Sequence, residues 1–105
     1  MNMEIKFRAW DKELKHYSKT ATEHPIRDIN FLTDYEWEQF TGLLDKNKKE
    51  IYENDITKFY GKYIGFITYR IGGFFFEESN GRHTPLQILN PLDCEVIGNI
   101  HEEVK

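Results

Sequence analysis

Hydrophobic and polar positions alternate along most of this chain with the short period of a β-strand. Ile5, Phe7 and Ala9 interleave with Lys6, Arg8 and Trp10, which predicts a half-buried strand with the first three on the core and the last three facing outward. Residues 11–13 read as a tight turn, and residues 14–17 return antiparallel to close a hairpin. Residues 18–24 are polar and small and end in His24-Pro25, an exposed loop. Residues 26–32 hold enough apolar positions for one irregular strand. Residues 33–40 are ambiguous: Thr33 and Glu36 fit a capping box, yet Tyr35 and Trp37 alternate with Glu36 and Glu38 as in a strand.

The second half begins at a polar turn, residues 45–49, with apolar, strand-like segments on both sides. Residues 56–60, 63–71 and 74–77 predict three short strands in a meander, punctuated by Gly61-Lys62 and Gly72-Gly73. Asn80-Gly81 is a strong hairpin signal. Thr84-Pro85-Leu86-Gln87 offers a cap and a proline at the first helical position, so a short helix is expected from Pro85 to about Leu89, stopped by Asn90-Pro91. Residues 95–100 form the closing strand, and residues 102–105 a charged, frayed tail.

Three motifs extend this reading: Ile5-Lys6-Phe7-Arg8-Ala9-Trp10-Asp11-Lys12, the stretch from Thr41 through Asp45, Asn47 and Asn54-Asp55-Ile56, and Cys94-Glu95-Val96-Ile97-Gly98-Asn99-Ile100-His101-Glu102. In this order they resemble the YopX family of small phage and prophage proteins. The resemblance implies a phage origin and a β-rich fold, brings no settled activity, and favours a strand over residues 33–40. Lys48 and Asn54 stand where members commonly have glycine. Asparagine tolerates the left-handed conformation, whereas lysine adopts it at a cost.

Composition narrows the function classes. A chain of 105 residues with 15% aromatics is one domain able to build a modest core without staples. The single cysteine, Cys94, excludes an internal disulfide. No basic-then-apolar leader and no apolar run of membrane-spanning length is present, so a soluble cytoplasmic protein is expected, with no membrane contact. The formal charge of −4 argues against avid non-specific binding to duplex nucleic acid. It is uneven, at +2 over residues 1–20, −2 over 21–76 and −4 over 77–105.

No constellation of catalytic residues stands out, and neither a cofactor nor a metal is expected. Cys94 and His101 lie seven residues apart, roughly 23 Å along a continuous strand and on opposite faces, so Cys94 reads as a small buried apolar residue. His16, His24, His83 and His101 have no ligand spacing and read as solvent-facing loop residues. Asp45-x-Asn47-x-Lys49 begins like a calcium loop but has Glu50 where glycine is needed and Ile56 where a bidentate glutamate is required, so Asp45 and Asn47 are turn formers. Glu77-Glu78 points to opposite faces. Glu36-x-Glu38 shares a face, expected to be solvated.

What remains is a possible binding surface: Lys6, Arg8 and Trp10 on the first strand and Lys46, Lys48 and Lys49 in the central turn. Interleaved cations and aromatics suit a protein interface or, alternatively, a single strand of nucleic acid. The bland reading is that Trp10 covers a second layer and the lysines solvate the surface. The expected fold is mainly β, a single domain in which an N-terminal hairpin-based sheet (residues 1–44) packs on a small SH3-like β-barrel (residues 45–105) with one short helix before the last strand. The expected function is a non-enzymatic phage accessory role through contacts with a host or phage protein or with itself. A single-stranded nucleic-acid module is the alternative, and an enzyme the third choice.

Overall fold

The computed structural model of the chain describes residues 5–18 and 35–102. The strand predicted over 26–32, most of the 18–24 loop and most of the C-terminal tail lie outside these residues. The described residues form nine strands: β1 (Phe7–Asp11), β2 (His16–Tyr17), β3 (Tyr35–Leu44), β4 (Glu50–Tyr52), β5 (Asp55–Phe59), β6 (Tyr63–Arg70), β7 (Gly73–Glu78), β8 (His83–Pro85) and β9 (Cys94–Asn99). They make two antiparallel sheets, in the orders β2-β1-β3-β4 and β8-β7-β6-β5-β9, the second curled into a half-barrel. The mainly β class expected from the alternation is what forms. Because β4 pairs with β3, the chain passes from one sheet to the other at Glu53-Asn54.

Of the ambiguous stretch 33–40, the described residues 35–40 form strand and not helix: they belong to β3, which runs opposite β1 with Arg8 facing Glu38 and Trp10 facing Glu36. The meander forms as the periodicity predicts, Phe59 opposite Tyr63 and Arg70 opposite Gly73. Its two tight turns place Tyr60-Gly61 and Ile71-Gly72 at positive φ, the mirror-image turn that matches strand twist. Gly65 is required where β6 meets β7, since a Cβ there would sit 2.3 Å from the Glu77 carbonyl oxygen. Asn80-Gly81 makes the hairpin into β8. The helical turn before the last strand is a 3-10 turn, Leu86–Ile88, followed by a second at Pro91–Asp93. Its cap is Pro85 and not Thr84, and no side chain caps it.

The core fills the hollow of the half-barrel with Ile51, Phe59, Ile67, Phe76, Leu86, Cys94 and Val96. Ile51 comes from the first sheet, so the two sheets share one core. Asp45 ties them together a second time. Its carboxylate accepts from the amides of Asn47 and Lys49, as a turn former does, and also from the amide of Val96 at 2.9 Å, 51 residues away. These donors hold the Asp45 carboxyl below its usual range although its burial opposes ionisation. Both oxygens are occupied by N–H groups. Lys48 and Asn54 stand at φ 65° and 70°, the left-handed conformation that favours glycine. Among the described residues no helix is long and apolar enough to cross a membrane.

Candidate functional site

The structure gathers its buried charge along the seam between the two sheets, around Glu38. The β1 and β3 register sets Arg8 directly across from Glu38, and the pleat turns both toward β5 and the end of β9. Glu38 is fully buried, and its two oxygens accept four hydrogen bonds. Oε1 accepts from Arg8 Nε at 2.7 Å and the Tyr17 hydroxyl at 2.9 Å. Oε2 accepts from Asn54 Nδ2 at 2.8 Å and His101 Nε2 at 2.7 Å, a tautomer that carries the proton on Nε2. Arg8 also donates through Nη2 to Asp55 Oδ1 at 2.8 Å, and Asp55 Oδ2 accepts from the Tyr52 amide. The Arg8 guanidinium lies between the rings of Tyr17 and Tyr52, 4.2 and 4.7 Å from their centroids. Trp10 stacks on His101, centroids 4.4 Å apart and planes 9° from parallel.

Burial opposes charge on Glu38, but the donors Asn54, His101 and Arg8 outweigh it and hold the carboxyl below its ordinary range. At Asp55 the balance tips the other way: burial dominates the attraction of Arg8 and raises its pKa. The Arg8 pKa is raised, the attraction of Asp55 and Glu38 overcoming desolvation, so the guanidinium is charged at any working pH. Burial pushes the Tyr17 hydroxyl far above its usual value, which keeps it a neutral donor to Glu38.

This arrangement limits the chemistry available. Ligand atoms of Glu36, Glu38 and His101 lie within 4.8 Å of one another, a metal-like spacing. Glu38, however, has both oxygens occupied, so a cation at Oε2 would displace the Asn54 and His101 donors and face the Arg8 guanidinium held on Oε1. The same occupancy leaves Glu38 no lone pair with which to act as a general base. Cys94 is buried, its thiol pushed up to about 12 chiefly by desolvation, and is far from a reactive thiolate.

Several sequence expectations change here. Glu38 was expected on a solvated face with Glu36; instead it is buried in phase with Phe40, and only Glu36 remains accessible. His101 was expected to face solvent; it is enclosed by Trp10 and Glu38, its side chain 11% exposed. Along the first strand segment the expected faces hold only at Ala9, which is fully buried. Trp10 is 8% exposed and Arg8 is largely covered, whereas Phe7 and Ile5 are exposed. The reason is that Glu38 and Asp55 need Arg8, and the edge-on Tyr17 and stacked His101 bury Trp10. The outward basic and aromatic face of Lys6, Arg8 and Trp10 therefore does not form; Lys6 pairs with Glu50 at 2.7 Å. In the central turn Lys46, Lys48 and Lys49 are exposed, and Lys46 approaches Glu95 at 3.5 Å. His83 pairs with Glu77 at 2.7 Å, and His16 is exposed. His24 lies outside the described residues.

The YopX protein family matches residues 19–105 of the chain. The crystal structure of protein EF1440 from Enterococcus faecalis is similar to it, with 29% sequence identity, 95% of each chain covered and a TM-score of 0.63. No curated protein matches the sequence significantly.

Proposed function

Because the chain belongs to the YopX family, we propose that it is a phage or prophage accessory protein of the bacterial cytoplasm that acts without catalysis, through contacts with itself or with a host or phage protein. The observation that supports this reading is the outer face of the half-barrel. Ile64 and Ile97 point away from the core there, 52% and 46% exposed, with Ile56, Phe66 and Phe75 half-buried on the same side of neighbouring strands. Apolar side chains on this face of β9, β5, β6 and β7, set among Lys58, Thr68 and Glu77, are the kind of surface that a partner covers. The charged chemistry is turned inward and saturated, which supports a binding role over an enzymatic one.

The test combines solution mass with affinity capture from phage-infected host lysate, with and without nuclease, using the wild type and an Ile64→Lys/Ile97→Lys variant. The reading expects either concentration-dependent self-association or a stoichiometric protein that survives nuclease, lost in both cases from the variant. A monomer at all concentrations with no captured protein would sink it. Recovery of nucleic acid, with partners lost on nuclease treatment, would favour the single-stranded nucleic-acid reading.

A further inference from the structure

The two tight turns of the meander depart from turn chemistry in the same way, at opposite ends of the half-barrel. A turn with both central φ angles positive ordinarily takes Asn, Asp or Gly at its first central position. Here Tyr60 holds that position between β5 and β6, at φ 56°, and Ile71 holds it between β6 and β7, at φ 51°. Along β6 from Tyr63 to Ile71 the chain spans ~27 Å, so the two turns lie far apart. Neither residue is buried: Ile71 stands out as an apolar knob, 97% exposed, and Tyr60 is 55% exposed. Bulky side chains kept in left-handed backbone without burial in their own chain point to a contact outside it. Tyr60 also walls a pocket of about 180 Å³ at its end of the half-barrel. Phe59 and Phe76, 1% and 3% exposed, make the floor, and Tyr63 forms a second wall. An apolar cavity of about 150 Å³ accepts a benzene-sized group, so this pocket takes a single branched or ring side chain. Glu78 and Arg82 line it too, and among the described residues neither forms an ion pair.

We infer that the occupant of this pocket is Ile71 of a second copy of the chain, so that molecules associate head to tail. The knob supplies one branched apolar side chain, and the aromatic pocket has room for one. Charge agrees with the match: Arg70, next to the knob, has His83 as its one side-chain partner among the described residues and is free to meet the carboxylate of Glu78 on the neighbour. Arg82 shares the pocket, so apolar insertion carries the contact and the Arg70 to Glu78 pair orients it. Because knob and pocket lie at opposite ends of the molecule, the contact is heterologous and repeats along a row of copies. It is separate from the outer face of Ile64 and Ile97 and stands whether or not a partner covers that face. It is also weaker, since one anchored side chain falls far short of the ~1,600 Å² of a standard interface. Association through the knob therefore belongs to the millimolar range, above the concentrations at which contact through the outer face is read.

Sedimentation equilibrium of the full chain, in a series reaching millimolar concentration, tests the contact. The average mass is expected to rise past that of a dimer, in the wild type and in the Ile64→Lys/Ile97→Lys variant alike. Ile71→Asn removes the knob and Tyr60→Asn removes a pocket wall, and asparagine suits both turns, so urea unfolding should find each variant as stable as the wild type or more so. Each alone is expected to associate about tenfold more weakly. Mixed in equal amounts, the two are expected to form a dimer and nothing larger, because the Tyr60→Asn copy keeps its knob and the Ile71→Asn copy keeps its pocket. The inference is overturned if the wild type stays monomeric throughout, if Ile71→Asn associates as the wild type does, or if the mixture remains monomeric or grows past a dimer. Association lost from the Ile64→Lys/Ile97→Lys variant but kept by Ile71→Asn would also overturn it, and would leave the outer-face reading standing.

Discussion

The hollow of the half-barrel and the seam between the sheets are both buried, yet they respond to substitution by different physics. In the hollow, Ile67 and Phe76 are held by shape and exclusion from water, which are graded quantities: a lost methyl costs something and a lost side chain costs more. In the seam, Glu38 is held by four donors and Arg8 by two carboxylates and two rings. A missing partner there strands a buried charge, so an isosteric change is as damaging as a truncation. Identity matters in the seam where volume matters in the hollow.

The sharpest way to break this contrast is to remove the carboxylate and keep its shape. Glu38→Ala is expected to cost about 3–5 kcal/mol, because Arg8 is left with Asp55 alone, and Glu38→Gln is expected to recover little of that loss in urea unfolding. In the hollow the order reverses: Ile67→Ala should cost about 3 kcal/mol but the conservative Ile67→Val only about 1 kcal/mol, measured the same way. A Glu38→Gln variant as mild as Ile67→Val would erase the distinction.

Asp45 lies between these cases, a buried carboxylate served only by backbone donors. Asp45→Ala is expected to cost about 2 kcal/mol by orphaning the Val96 amide. Its pKa is depressed in the folded chain, as is that of Glu38, so both contribute stability above the unfolded carboxylate range that is lost as pH falls through their folded values. Asp55 and Glu53, whose pKa values burial raises, act in the opposite sense and soften the acid limb. The stability gap between wild type and Asp45→Asn should therefore narrow as the pH is lowered through that range. The smallest expected effect is a gain. Ile71 is a β-branched residue at φ 51°, 97% exposed, and Ile71→Asn should stabilise by about 0.5–1 kcal/mol through relief of left-handed strain.

The strands were legible in the sequence because their period and turn residues are local properties. The hairpin from Trp10 to Tyr17 and the meander follow from them, while the left-handed Asn54 was implied by the family resemblance. Which face of β1 and β3 is buried was not legible. An alternation of apolar with charged residues assigns the apolar face to the core, and here Arg8 and Glu38 compensate each other across the ladder and go inside together. The signals that could have found this were that Arg8 is in phase with Trp10, and Glu38 with Phe40. The rest of the site depends on Asn54 and His101 meeting Glu38 from 16 and 63 residues away and on Asp55 meeting Arg8 from 47, which no local pattern encodes.

The most direct test of the seam is a double-mutant cycle on Arg8 and Glu38, with Arg8→Met, Glu38→Leu and the combined variant unfolded in urea at neutral pH. The account predicts that each single substitution is severe and that the double variant loses less than the sum of the two, a coupling of about 1–3 kcal/mol, because Arg8→Met alone strands both Glu38 and Asp55, whereas the double variant strands only Asp55. Additive losses would contradict it and would mean that Arg8 and Glu38 are merely adjacent in the seam.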